Sequence, residues 1–170
     1  MRSPDLLADA FGRVQEAVHE AVEGLSEEEL AHRPDPDANS IAWLVWHLTR
    51  IQDDHITDAF GLDGQLWTRD GWADRFALPF GPGATGFGHT SAQVAKVRAP
   101  ADLLLDYHDA VHARTLEQVK DVTNADLERV VDTSWNPPVT LGVRLISVIA
   151  DDLQHAGQAA YVRGLAERRG

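Results

Sequence analysis

Two side chains that commonly bind metal ions lie one helical turn apart near the end of the chain. The stretch IADDLQHAGQAAYVRGL, residues 149–165, reads as an apolar, alanine-rich helix, yet it contains Asp151 and His155. At about 100° per residue, both side chains border the helix face that must point inward. Burying a carboxylate and an imidazole costs free energy unless a partner compensates them. That partner is either the neighbouring side chain, as a local ion pair, or a bound cation.

A second helical segment adds another imidazole on an inward face. In SIAWLVWHLTRIQDDHI, His47 shares its helical azimuth with Leu44 and Ile51. A lone histidine on an apolar face is more often a hydrogen-bonded core residue than a metal ligand. Together, however, His47, Asp151 and His155 offer three nitrogen or oxygen donors. This is the number that a divalent cation needs while it keeps coordination positions open.

The composition narrows the remaining chemistry. The chain has 170 residues and no cysteine, which excludes disulfides, a thiolate metal site and a cysteine nucleophile. A formal net charge of −12 argues against nucleic-acid and anionic-membrane partners, because the cations that neutralise phosphates are missing. The N-terminus lacks the features of a signal peptide, and no apolar run is long enough to span a membrane. We therefore expect a single cytoplasmic domain over residues 1–170.

Helical periodicity predicts four long elements that would position these side chains. They cover residues 4–24, 39 or 40 to 61, 100–122 and 141–168. The glycine-rich residues 61–99 are predicted to form a long connection with short helical pieces. No stretch alternates with the two-residue period of a strand. We predict an all-α fold, a four-helix bundle with a long crossover loop between its second and third helices, and bundle interiors are where such metal sites are built.

These motifs resemble those of the DinB-like superfamily, four-helix-bundle proteins that include thiol-dependent S-transferases using mycothiol or bacillithiol. In that family one metal-binding histidine lies in the second helix within an apolar–apolar–His–Leu setting, which Trp46, His47 and Leu48 match here. The resemblance covers nearly the whole chain. The segments DGWADRFALP and LLDYHDAV are similar to the actinobacterial DUF664-type branch of the superfamily.

The last helix of the family carries the motif H-x-x-x-H-x-G-Q. His155, Gly157 and Gln158 match its second half, whereas Asp151 stands where the first histidine would be. In the related mycothiol-dependent maleylpyruvate isomerases a glutamate occupies the equivalent place, so a carboxylate is compatible with the ligand set. Aspartate reaches less far than either histidine or glutamate.

The resemblance implies a function for the three donors. His47, Asp151 and His155 would hold a divalent metal, with Zn, Ni and Fe as candidates, and would leave open positions for a low-molecular-weight thiol. A metal-bound thiol loses its proton at neutral pH and becomes a good nucleophile. The expected activity is that of an S-transferase or isomerase acting on an electrophilic small molecule, with mycothiol as the candidate co-substrate. The resemblance also allows a homodimer.

Three further residues are candidates for supporting roles. Asp54 and Gln158 are candidates to orient the ligand imidazoles, because metal-bound histidines usually donate their other N–H to a neighbouring oxygen. Each is equally well explained as an ordinary solvated or capping residue. Arg144 lies on the same side of its helix as Asp151 and is a candidate to bind a carboxylate of the thiol or substrate; a plain surface arginine is the alternative.

A competing function is a non-catalytic one. A DinB-like binding or stress-associated protein would keep the fold and retain only a weak or vestigial metal site. The chain has no nucleophile-elbow or phosphate-loop pattern that would favour a hydrolase or a nucleotide-binding protein. The remaining histidines are interpreted as structural or exposed; they are His19, His32, His55, His89, His108 and His112.

Overall fold

A computed structural model describes residues 1–168 and shows a mainly helical protein. In chain order its elements are α1 (Ser3–Val22), α2 (Glu27–Ala31), α3 (Ile41–Phe60), α4 (Leu66–Arg69), α5 (Trp72–Phe76), α6 (Ser91–Val94), α7 (Ala101–Val119), α8 (Asn124–Leu127), β1 (Val130–Asp132), β2 (Val139–Thr140) and α9 (Leu141–Glu167). The four long helices α1, α3, α7 and α9 lie where the periodicity predicts them. The short helices α4, α5 and α6 all lie in the predicted connection between α3 and α7.

The predicted helical class is confirmed, but the all-α description omits a small hairpin. Strands β1 and β2 pair antiparallel, with Val130 opposite Thr140 and Asp132 opposite Val139. No strand is predicted here from the sequence, because no stretch alternates with a two-residue period. Strands of three and two residues are too short to show an alternating pattern, which explains the omission.

The long helices pack side by side around a shared core. Helix α3 contacts α7 and α9 extensively, and α1 contacts the same two helices. Side-chain caps fix where the ligand-bearing helices begin: Ser40 Oγ accepts a hydrogen bond from the N–H of Trp43 (3.1 Å), and Thr140 Oγ1 accepts one from Val143 (3.4 Å). Helix α3 ends at Gly61, whose φ of 60° is the left-handed conformation common at helix ends.

Helix α3 is buried on nearly every face in its first half. Residues 41–50 are all buried, although a surface helix would expose about half of them. The reason is the connection between α3 and α7, which we call the crossover (residues 61–100). Its aromatic side chains Trp67, Trp72 and Phe76 join the same apolar cluster as α3. Helix α9, in contrast, exposes several large apolar side chains: Val143, Ile146, Leu153 and Tyr161.

A buried polar cluster ties the start of the crossover to α3 and α7. The carboxylate of Asp53 accepts hydrogen bonds from the backbone N–H groups of Leu66 (3.0 Å) and Trp67 (2.8 Å). The Tyr107 hydroxyl donates to the same carboxylate (2.9 Å), and the Arg50 guanidinium lies 3.8 Å from it. Removing one member of a buried ion pair leaves the other charge uncompensated. This cluster therefore holds the crossover in one position.

Residues 1–168 contain no helix that is both long enough and apolar enough to cross a membrane. The single domain, the cytoplasmic location, the homodimer and the lack of a nucleic-acid partner stay predictions. The last two residues of the predicted domain, 169–170, lie outside the described part of the chain.

Candidate metal centre

Helices α3 and α9 bring three potential ligands together. One donor atom from each of His47, Asp151 and His155 lies within 4.8 Å of the other two. The two imidazole ring centroids are 4.9 Å apart, and His155 Nε2 lies 3.6 Å from Asp151 Oδ1. Two ligands of one tetrahedral ion at about 2.1 Å are about 3.4 Å from each other, so binding requires only a small closure of these side chains.

The crossover fixes the orientation of His47. Its Nδ1 lies 2.5 Å from the carbonyl oxygen of Thr85. A carbonyl only accepts hydrogen bonds, so Nδ1 carries the proton and Nε2 keeps a free lone pair. The Trp43 ring stacks on the imidazole at a centroid distance of 4.6 Å. Burial lowers the pKa of His47, although the Thr85 contact acts in the opposite direction, and the neutral imidazole is the form that binds a metal.

Close approach of the crossover to His47 requires a glycine at position 86. A Cβ atom on Gly86 would lie 2.8 Å from His47 Nδ1 and 3.0 Å from Cζ3 of Trp46. The φ angle of Gly86 is +94°, a conformation that residues with side chains rarely adopt. Position 86 therefore tolerates only glycine without displacing the loop that orients the imidazole.

Two more hydrogen bonds hold the same loop on either side of His47. Trp43 Nε1 donates to His89 Nδ1 (3.2 Å), and Arg50 Nε donates to the carbonyl of Ala84 (3.1 Å). The donors are spaced along one side of α3, and the loop runs alongside the helix in the opposite chain direction and contacts it repeatedly. Because of these three contacts, the position of His47 depends on how the crossover packs against α3 and not on α3 alone.

The ligands on α9 are held by local contacts. His155 Nδ1 donates to Gln158 Oε1 (3.0 Å), one turn later on the same helix, which leaves Nε2 of His155 free. Asp151 Oδ2 is buried and has no hydrogen-bond partner among residues 1–168. A buried carboxylate oxygen without a donor costs free energy that a cation would recover. Two imidazoles with free Nε2 atoms and one carboxylate fit a divalent cation.

Comparison with known proteins assigns the chain to a family. The sequence model of the family described as "Mycothiol-S-transferase" matches residues 6–167. This chain belongs to that family. The assignment confirms the DinB-like resemblance, while the DUF664-type branch stays a prediction. The chain is also similar to a solved structure, described as the crystal structure of a conserved protein of a locus from Enterococcus faecalis, with 34% identity, 98% coverage of both chains and a TM-score of 0.90. No curated protein matches at a significant level.

In this mycothiol-S-transferase family member, Gln158 and Asp54 are the two residues predicted to orient the imidazoles of the candidate ligands. Their contacts differ. Gln158 contacts His155, as described above. Asp54 instead accepts a hydrogen bond from Gln65 Nε2 (2.5 Å), and no contact between Asp54 and His47 is found within residues 1–168. The two α3 residues share an azimuth, but seven residues correspond to about 10 Å along the helix axis. Azimuth alone therefore suggested a contact that the axial distance prevents.

Arg144 lies beside the hairpin. Its Nη2 donates to Asp132 Oδ2 (2.7 Å) in β1, and its Nη1 lies 3.4 Å from His55 Nδ1. Burial, and then the nearby arginine charge, lower the pKa of His55, so this imidazole stays neutral and accepts the hydrogen bond. The charge of Arg144 is thus compensated within the protein. Binding of a thiol or substrate carboxylate by Arg144 stays a prediction.

The loop residues that shape the centre are not predicted from the sequence. Thr85 acts through its backbone, and Gly86 acts by having no side chain, so neither carries a chemical signal in the sequence. His89 was interpreted as an ordinary loop histidine; its ring stacks on Trp46 at 5.7 Å and accepts the hydrogen bond from Trp43. The glycine-rich stretch GPGATGFG was the one available hint, because such runs permit close backbone approach.

Proposed function

We propose that this mycothiol-S-transferase family member joins a low-molecular-weight thiol, with mycothiol as the candidate, to an electrophilic small molecule, or uses the thiol to isomerise one. His47, Asp151 and His155 would hold a divalent cation, with Zn, Ni or Fe as candidates. The observation that carries the proposal is the hydrogen bonding and the close positions of these three side chains. Both imidazoles hold their Nδ1 protons in hydrogen bonds, so their Nε2 atoms stay free. One donor atom from each of the three side chains lies within 4.8 Å of the other two, and Asp151 Oδ2 is buried without a hydrogen-bond donor among residues 1–168.

The proposed chemistry divides between the cation and the chain. When bound, the cation would lower the pKa of a thiol in its open position so that the sulfur is present as thiolate. The thiol proton would be released to solvent, which reaches the partly exposed Asp151. The sulfur lone pair would form a bond to the electrophilic carbon, and the leaving group would depart with its bonding pair; in an addition, the displaced π pair would take up a proton from solvent. In an isomerisation, the added thiolate would leave again with its bonding pair after rotation about the former double bond. Thr85 and Gln158 orient the ligands, and Trp43 excludes water from the buried side.

The packing of the long helices supports the proposal, because His47, Asp151 and His155 come together from two neighbouring helices. We propose that the four long helices form a single-domain four-helix bundle of the DinB-like type, with the crossover as the loop between its second and third helices. The contacts of α3 and α1 with both α7 and α9 support this description. Metal sites in such bundles are built from inward side chains of facing helices.

The experiment uses full-length protein purified without a histidine tag and loaded with Zn, Ni or Fe. Metal content is measured by elemental analysis, and transfer of mycothiol to an alkylating reporter is followed by absorbance. His47→Ala and His155→Ala are expected to lose both metal and transfer. The matched control is His55→Ala, which removes another imidazole of α3 that is not a proposed ligand and should keep both.

A different result would support the competing function. If the protein binds no metal in excess Zn²⁺ or Ni²⁺, the transferase proposal fails, and a non-catalytic DinB-like binding or stress-associated protein with a vestigial site becomes the better description. The specific observation in favour of that alternative is Asp151, whose short side chain stands where the family motif has a histidine. Loss of transfer in the His55→Ala control would also contradict the assigned ligand set.

A further inference from the structure

Two buried N–H donors on α3 have no acceptor. Trp46 and Arg50 lie one helical turn apart, and their side chains are 1% and 0% exposed. Trp46 Nε1 and Arg50 Nη2 make no hydrogen bond to any atom of residues 1–168. Nearly all buried donors in folded proteins are paired, and an unpaired donor on a charged group costs the most free energy. These two donors therefore indicate a site for a hydrogen-bond acceptor.

A small, largely enclosed cavity lies at the same place. Its volume is about 30 Å³, and its wall contains the rings of Trp46 and Trp67 together with Phe80 and Ala84 of the crossover. About 10–15 Å³ is enough to hold one water molecule, so the cavity admits only a particle of about that size or slightly larger. It is therefore too small for a thiol co-substrate or an organic electrophile.

The planar geometry of each side chain directs its free donor towards this cavity. A Cβ on Gly86 would lie 3.0 Å from Cζ3 of Trp46, so the opposite ring edge, which carries Nε1, points away from Gly86. Arg50 Nε donates to the carbonyl of Ala84, which lines the cavity, and Nη2 lies on the same edge of the guanidinium as Nε. The Arg50 Cζ atom is 5.1 Å from the ring centroid of Trp67.

The charged side chains beside the cavity carry an excess of positive charge, although the whole chain is acidic. Arg50 and Arg114 each lie 3.8 Å from an oxygen of the Asp53 carboxylate, so the cluster has two cations and one anion. That carboxylate already accepts three hydrogen bonds from neutral donors. Asp70, another carboxylate near Arg114, is exposed to solvent. A buried cation without full compensation favours a bound anion.

We propose that the cavity between Trp46 and Trp67 binds a small monovalent anion of about the size of chloride. Trp46 Nε1 and Arg50 Nη2 donate hydrogen bonds to it, and the apolar wall excludes larger anions. Ala84 precedes Thr85, whose carbonyl orients His47, so the anion stabilises the same loop. Neither donor belongs to a proposed metal ligand. The inference therefore does not depend on the proposed function and is tested on metal-free protein.

The test is thermal unfolding of the metal-free, full-length protein while potassium gluconate is replaced by potassium chloride at constant ionic strength. Gluconate is too large for the cavity, so it serves as the reference anion. A ligand that binds the native state stabilises it with a dependence on the ligand concentration that follows its dissociation constant. In a chain of this length, chloride at about five times its dissociation constant should raise the midpoint by about 2–4 °C.

Three variants assign the effect to the cavity. Trp46→Phe keeps a ring but removes one donor, so the chloride-dependent shift should disappear. The matched control is Trp72→Phe, which alters another buried indole that is not among the residues lining the cavity. It should keep the shift, whatever its starting midpoint. Arg114→Gln removes the excess charge and leaves the cavity wall unchanged, and it should weaken chloride binding at least about threefold.

Bromide in crystals of the protein provides a second measurement, because its anomalous scattering gives its position. We expect bromide between Trp46 Nε1 and Arg50 Nη2. Three results would each overturn the inference: bromide at the protein surface only, equal midpoints in chloride and gluconate, or an unchanged chloride shift in Trp46→Phe. In each case the cavity would be a site for water only. An unchanged chloride affinity in Arg114→Gln would contradict the role given to the excess charge.

Discussion

The two helices that supply the candidate ligands hold them in different ways. His47 on α3 is 5% exposed and is oriented by a carbonyl from the distant crossover. On α9, the Asp151 side chain is 39% exposed and His155 is 18% exposed, and the contact that orients His155 comes from the same helix. One half of the centre is therefore set by tertiary structure and the other by local helix geometry. Substitutions far away in the sequence should affect the first half and spare the second.

Exchanging the ligand types tests this difference most strongly. His47→Asp puts a short carboxylate into a rigid, buried position opposite the Thr85 carbonyl, so metal affinity should fall at least about a thousandfold. Asp151→His restores the family's H-x-x-x-H pattern on the adaptable helix and should keep or raise the affinity. Competition with a chromophoric chelator measures both. Similar losses in the two variants would mean that the two halves do not differ.

The crossover contact is tested by a glycine pair. Gly86→Ala places a Cβ 2.8 Å from His47 Nδ1, which should displace the loop and lower metal affinity about 10- to 100-fold, as loss of an orienting contact does elsewhere. Gly88→Ala is the matched control, because Gly88 has a similarly positive φ of 72° but no atom within 4 Å of the added Cβ. Both variants carry backbone strain, so only Gly86→Ala should lose metal. Equal affinities would show that the loop does not orient the imidazole.

His108 shows how burial changes the pKa of a histidine that has no hydrogen-bond acceptor to orient it. His108 on α7 is fully buried, and neither ring nitrogen has a hydrogen-bond partner among residues 1–168. Burial, and then neighbouring His112, lower its pKa to about 3, with Asp109 and His19 as the other facing charges. The unfolded chain takes up this proton at about pH 6.5, so stability is lost as the pH falls from there towards 3. At pH 5 the loss is about 2 kcal/mol.

Thermal or urea unfolding between pH 4.5 and 8 checks this effect. His108→Leu should remove that part of the pH dependence and flatten the stability profile below pH 6.5. Parallel profiles for the wild-type and variant proteins would show that His108 is not held neutral by burial.

The smallest effect is expected on the open side of the centre. Gln158→Leu removes the acceptor of His155 Nδ1, but water can replace it at this exposed position, so metal affinity should fall at most about tenfold. Gln154→Leu, one turn earlier, is the control and should leave the affinity unchanged. A loss as large as that in Gly86→Ala would mean that α9 is as strictly organised as α3.

The parts of the molecule that sequence predicts well are those with helical periodicity. The azimuths of His47, Asp151 and His155 follow from 3.6 residues per turn, and the structure brings these three side chains together. Asp54 shares the azimuth of His47 but lies about 10 Å further along the axis, a distance that the same arithmetic does not include. Side chains that act within one helix, such as Gln158 on His155, are within reach of sequence reasoning.

The parts that could not be predicted belong to the crossover. Its contacts with α3 depend on a backbone carbonyl at Thr85 and on the absence of a side chain at Gly86, and neither has a periodic pattern. The Asp53 carboxylate accepts hydrogen bonds from backbone N–H groups 13 and 14 residues further along the chain, and every residue but proline has such a group. Long-range contacts of this kind follow from the folded topology and carry no local signature.

Hydrogen bonds hold the crossover against α3 at two separate places. One is the buried Asp53 cluster before α5, and the other is the loop of residues 84–89 after it. Between them, Leu78 and Phe80 pack against the core, whereas residues 81–83 are exposed. Insertions or deletions at residues 81–83 should change the protein surface without moving His47. Evolution thus has a segment in which length and composition can diversify while the side chains beneath it keep their positions.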